Sequence, residues 1–134
     1  MKPGLQKEIP SNCLFLKSDA LGQAVVDLTQ IRQDRIEAHI RALETPRFTS
    51  AEKQRAIAYI TDQLTSYGYE IARQGVGGSE NLVAHLPGGE RSNEVYVIGA
   101  HFDSVRDTPG ADDNASGVAG MLEIARVFQQ LLPG

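Results

Sequence analysis

The chain has a single cysteine, Cys13, among its 134 residues. An internal disulfide and a Cys-rich zinc site are therefore excluded, and Cys13 reads as a structural or incidental thiol. Basic runs are also missing, and the net charge is −4, so nucleic acid and anionic membrane surfaces are poor partners. No apolar run reaches the roughly twenty residues of a membrane span. Leu14-Phe15-Leu16 is too short for a signal-peptide core, and Lys17 and Asp19 follow at once. No export signal is visible, which leaves the compartment open. Internal repeats and low-complexity segments are absent as well. What remains is an ordinary globular composition, 41% apolar and 22% charged, at the length of one domain with a real core.

Residues 1 to 27 mix Lys, Pro, Gly and Ser with little periodicity and are predicted to be a loosely ordered leader. From Leu28 the positions Ile31, Ile36, Ile40 and Leu43 predict a helix that ends before Pro46. A second helix is better marked. Thr49 and Glu52 form a T-x-x-E capping box, Ile57, Ile60, Leu64 and Tyr67 make an apolar stripe, and Gly68 supplies the stop. Tyr69 to Arg73 reads as a strand, with "GVGG" at 75–78 a flexible link. "NLVAHL" (81–86) and "EVYVIGA" (94–100) read as two strands of an antiparallel hairpin joined by "PGGERSN". The second is almost wholly apolar, the pattern of a strand covered on both faces. From Gly117 to about Leu131, Val118, Met121, Leu122, Ala125 and Phe128 share one helical face. This order predicts an α/β plan with layers on both sides of a sheet.

Between the last strand and the last helix lies "HFDSVRDTPGADDNASG" (101–117), one histidine and four aspartates. In open α/β sheets, ligands gather at such carboxyl-terminal strand ends. Turn chemistry accounts for Pro109, Gly110, Asn114 and Ser116. It does not account for Asp112 and Asp113 side by side near a histidine, because adjacent carboxylates repel unless a cation or strong donors compensate. "DDNASGVAGMLE" also fits an EF-hand calcium loop, with Glu123 in twelfth place. The context opposes that reading: a strand and Pro109-Gly110 precede it, the helical stripe starts inside it, and there is no second loop to pair with. A third reading is a zinc-type site. His101 offers an imidazole and Asp113 a carboxylate, and Asp103, two residues past His101, lies on the same face of an extended segment. There it could accept from the other imidazole nitrogen and fix the tautomer. H-x-D pairs also arise by chance.

"VYVIGAHFDS" followed by "PGADDNASGVAGMLEIAR" resembles the co-catalytic zinc aminopeptidases of peptidase family M-twenty-eight. "RFTSAEKQRAIAYITDQLTSYGYEI" and "SENLVAHLPG" also look like that family's first helix and hairpin. The resemblance covers about residues 28 to 131. It implies the N-terminal half of a three-layer zinc-exopeptidase domain (28–134), a mixed sheet with helices on both faces. It implies two zinc ions in a complete site and peptide substrates. It makes His101 a ligand of one zinc, Asp113 the carboxylate bridging both, and Asp103 the partner that orients His101. It also implies a cis peptide after Asp113. The Gly-rich Asp-x-Lys-Gly loop of the related carboxypeptidase-type enzymes is missing, and "ADDNASG" favours the aminopeptidase branch. Relatives are often secreted or periplasmic.

Two zincs sharing one carboxylate need about five protein ligands, and this chain offers two. His39 reads as a surface or packed residue, His85 as core-edge, and Glu123 as the partner of Arg126 on a solvated helix face. Two functions stay open at this stage. One is an aminopeptidase whose C-terminal remainder, the expected partner with the further ligands and the glutamate base, is absent from this sequence. The other is a non-catalytic remnant or interaction module of the same fold.

Overall fold

A computed structural model describes residues 10–18, 27–86 and 95–131. The helices form where the apolar spacing demands. A 3-10 turn at Leu28–Gln30, capped by Asp27, leads into α1 (Gln33–Leu43). α2 (Ser50–Ser66) opens with the capping box in full. Thr49 Oγ1 accepts the Glu52 amide at 3.3 Å, and Glu52 Oε2 accepts the Thr49 amide at 2.9 Å. Two amides that the first helical turn cannot satisfy thus find acceptors. α3 (Ser116–Phe128) buries Val118, Ala119, Met121, Leu122, Ala125 and Val127.

Four strands make one mixed sheet: β1 (Cys13–Ser18), β2 (Glu70–Val76), β3 (Ser79–Leu86) and β4 (Tyr96–His101), in the order β2-β3-β1-β4. β2 and β3 form an antiparallel hairpin closed at Val76↔Ser79. Its two-residue turn is Gly77-Gly78, with φ of +52° and +83°, the left-handed pair such hairpins need. The glycines predicted as a flexible link are therefore a defined turn.

β1 corrects the sequence reading. The stretch predicted to be a loose leader holds an interior strand, parallel to β3 and antiparallel to β4. Leu14 and Leu16 are almost fully buried. Two alternating leucines among Lys, Pro and Ser are too short a local pattern to declare a strand. Its stability comes from distant partners, Leu14 facing both Leu82 and Ala100. The Cys13 amide is fixed at 2.9 Å on Asn81 Oδ1. It follows that β3 and β4 are not a hairpin, since β1 lies between them. The "PGGERSN" connection lies outside the described residues.

The layers also differ from the expected plan. Leu14, Leu16, Leu82, Ala84 and Leu86 on one sheet face join Leu43, Ile57, Ile60, Leu64, Val118 and Leu122 from all three helices in one core. The alternate positions carry no helix: His85 and Val97 are exposed, and Phe15 and Val83 half-buried. Among the described residues the helices cover one face, not both. β4, read from its apolar run as doubly covered, has an exposed start at Val95, Tyr96 and Val97. The run reports a strand able to be buried, which is a different thing from one that these residues bury. No described helix is long and apolar enough to cross a membrane.

Candidate metal centre

The sheet delivers His101 as the last residue of β4, paired with Cys13 of β1. Phe102 extends the ladder by donating its amide to Asn12 O at 2.7 Å. The buried Phe102 anchors the start of the loop, so Asp103 emerges beside the imidazole. His101 Nδ1 and Asp103 Oδ1 are 3.1 Å apart. The chain returns through Gly110 into one wide turn, Ala111–Ala115, closed by the Ala115 amide on Gly110 O at 3.0 Å. That turn carries Asp113, whose Oδ1 lies 3.0 Å from His101 Nε2. The Asp113–Asn114 peptide is cis, as the resemblance implied. Asn114 Nδ2 donates to His101 O at 3.3 Å and ties the turn back to the strand end.

Both ring nitrogens of His101 thus face carboxylates. A neutral imidazole has one N–H and can satisfy one of them. The second contact needs either a second proton or a cation between Nε2 and Asp113. The donor chemistry suits zinc, an imidazole nitrogen with a carboxylate oxygen. The 3.0 Å separation is close to the ~3.3 Å expected of two donors at about 2.0 Å from a tetrahedral ion. The Asp113 side chain is 73% exposed, so the far side of the pair is open to other groups.

Glycine is required at 110. Its φ is +55°, and a Cβ there would lie 2.7 Å from Asp113 O and 2.8 Å from Arg47 Nη2.

Arg47 is the residue that the sequence reading missed. It is 1% exposed and lies under the loop. Burial pushes its guanidinium below the ordinary value, while the charges of Asp103 and Asp113 pull the other way. A lone arginine between Pro46 and Phe48 has no periodic signal. Only the fold shows that the capping box of α2 starts beside the loop.

The other candidates settle elsewhere. His39 is buried against Tyr59, with Nδ1 2.7 Å from the hydroxyl. His85 lies in β3 between Lys17 and Glu70. Glu123 does pair with Arg126, but it is fully buried and not on a solvated face, because α1 packs over it. Its engagement there, with α3 starting at Ser116, also removes the calcium-loop reading. Among the described residues no three His, Cys, Asp or Glu side chains are arranged to hold a metal ion.

Comparison with known proteins meets the same segment. Residues 81–133 match the model of Peptidase family M28. Uncharacterized protein YfbL of Escherichia coli is 41% identical over 91 residues, 59% of this chain and 28% of its own length. Leucine aminopeptidase 1 of Phaeosphaeria nodorum is 27% identical over 139 aligned residues, 90% of this chain and 35% of its own. Leupeptin-inactivating enzyme 1 of Streptomyces exfoliatus is 38% identical over 74 residues, 52% of this chain and 17% of its own. The chain therefore spans about a third or less of these relatives. No solved structure gives a significant match. The segment similar to peptidase family M28, residues 81–133, includes His101, Asp103 and Asp113.

Proposed function

We propose that the chain is the N-terminal part of a zinc-dependent aminopeptidase domain. In this reading His101 Nε2 and Asp113 Oδ1 hold zinc, and Asp103 orients His101 through Nδ1. The observation that carries it is the single imidazole held between two carboxylates at 3.0 and 3.1 Å. Zinc bound there would polarise a carbonyl and lower the pKa of its water. The chain's own residues supply the rest of what can be derived. Asp103 accepts from Nδ1–H and leaves the Nε2 lone pair directed at the metal position. Asp113 brings a negative charge that its family role would share between two ions.

Two ligands leave a cation largely hydrated, so these 134 residues alone are expected to bind zinc weakly and to turn over no peptide. The further ligands and a glutamate base come, in this proposal, from polypeptide outside these residues. The second reading, a non-catalytic module, is favoured by the lack of any three-ligand group among the described residues. Hydrolysis of a leucine anilide with added zinc separates the two. Turnover that appears only with a C-terminal fragment, and vanishes in Asp113→Ala, supports the enzyme. No turnover with any such fragment supports the module, and robust turnover by the chain alone contradicts both.

A further inference from the structure

His101 and Asp113 sit at the two ends of one loop whose middle, Val105 to Pro109, is exposed. Within the loop, Asn114 Nδ2 ties the Asp113 turn to His101 O by one long contact of 3.3 Å. The Arg47 guanidinium lies beneath both ends. Its Nε donates to Phe102 O at 2.7 Å, next to His101 and Asp103. Its Nη1 and Nη2 donate to Pro109 O and Gly110 O, each at 2.9 Å, where the chain turns towards Asp113. Nη1 also donates to Thr45 O at 2.7 Å and to Leu43 O, which roots the group in the connection between α1 and α2. The Arg47 main chain adds two contacts. Its amide donates to Ser104 Oγ at 2.9 Å, and its carbonyl accepts the Ser104 amide at 3.1 Å.

A buried cation held by main-chain carbonyls, without a carboxylate in contact, is a costly way to fill a core. A rigid planar fork that spans both loop ends has a use there that a flexible lysine lacks. We propose that Arg47 is a positioning residue, whose fork fixes the spacing of His101 and Asp113. The metal half of this proposal rests on the zinc reading given above. The fastening half does not.

Arg47→Lys separates geometry from charge, since lysine keeps the cation and loses the fork. In the zinc-free 134-residue chain, amide exchange at Phe102, Ser104 and Ala115 is expected to speed up by about tenfold or more in Arg47→Lys, with Tyr69 as the unchanged reference. Unchanged exchange at those three amides overturns the fastening role whatever zinc does. Zinc chloride is then titrated against the His101 imidazole resonances of the folded variant, with His39 and His85 as internal controls. The expected result is zinc affinity weaker by about 10- to 100-fold, as when a metal ligand loses its support. Faster exchange with unchanged affinity overturns the positioning role. A wild-type chain whose His101 ignores zinc overturns the zinc reading, and the exchange result still decides Arg47. If Arg47→Lys does not fold, Ser104→Ala keeps the guanidinium and removes the tie between Ser104 Oγ and the Arg47 main-chain amide, which seats the fork under the loop. Looser Ser104 exchange with weaker zinc binding supports the proposal, and no change in either overturns it.

Discussion

Arg126 grips both carboxylate oxygens of Glu123, with Nε 3.1 and 3.0 Å from Oε1 and Oε2 and Nη2 2.6 Å from Oε1. The same Nη2 donates to Gln30 O at 2.6 Å, and the Arg32 amide donates to Glu123 Oε1 at 3.0 Å. Arg35 Nε faces the carboxylate at 3.4 Å without hydrogen-bond geometry. The cluster fastens the start of α1 to α3, the helix that follows Asp113. Burial opposes the charge on Glu123, but the Arg126 hydrogen bonds, the Arg32 amide and the Arg35 charge outweigh it. Its carboxyl is held below the ordinary value of 4.5. Removing the carboxylate strands a partly buried arginine, so Glu123→Gln is expected to lose about 3 kcal/mol in urea unfolding at neutral pH. A loss under about 0.5 kcal/mol, the usual surface value, would contradict the account.

His39 bridges α1 and α2, between the Tyr59 hydroxyl at 2.7 Å and the Tyr67 hydroxyl at 3.5 Å. Burial lowers its pKa from 6.5, and the Arg35 charge adds to that, against an opposing pull from Glu123. The folded state therefore prefers the neutral ring. The unfolded chain takes up the proton first, so the contribution of His39 is complete above pH 6.5 and fades as pH falls through the folded value. Thermal melts between pH 7.5 and 5 are expected to show a fall in Tm that is smaller in His39→Gln. Equal falls in both chains would remove His39 from the acid response.

Gly110 and Gly75 make a matched pair. Gly110→Ala places a Cβ against Asp113 O, Arg47 Nη2 and Ser104 Cβ, all within 2.9 Å, in a left-handed backbone. It is expected to cost about 2–4 kcal/mol. At Gly75, in β2, an added Cβ meets nothing within 4 Å, and Gly75→Ala is expected to fold with unchanged or slightly higher stability. Comparable losses in the two variants, read by urea unfolding, would contradict the packing described at Gly110.

Val95, just before β4, and Val97 within it are 52% and 57% exposed, and among the described residues β1 is the strand that pairs with β4. Exposed apolar side chains such as Val95 and Val97 favour self-association. The apparent mass in sedimentation is expected to rise with concentration, and Val97→Lys to flatten that rise. A wild-type chain that stays monomeric across the range would show these side chains to be harmless.

Local rules made the helices legible. Thr49 with Glu52, and the stripe Ile57–Ile60–Leu64, are patterns whose causes lie within a few residues of each other. The loop from His101 to Gly117 was legible for another reason, since a dense run of acids beside a histidine has few uses. β1 was not legible, because Leu14 and Leu16 are defined by Leu82, Ala84 and the β4 residues that pair with them. Arg47 was hidden for the same cause. Its acceptors are carbonyls of residues up to 63 positions away, and a carbonyl has no sequence signature. Glu123 was half legible: the spacing to Arg126 gave the partner, and the packing of α1 decided the burial.

The central claim is that His101 and Asp113 together take a zinc ion. Zinc titration of the histidine-labelled chain, followed by the imidazole resonances of all three histidines, tests it most directly. His101 alone is expected to shift, the shift to be lost in Asp113→Ala, and binding in Asp103→Asn to weaken by about 10- to 100-fold. Zinc that leaves His101 unmoved, or that binds Asp113→Ala as well as wild type, would contradict it.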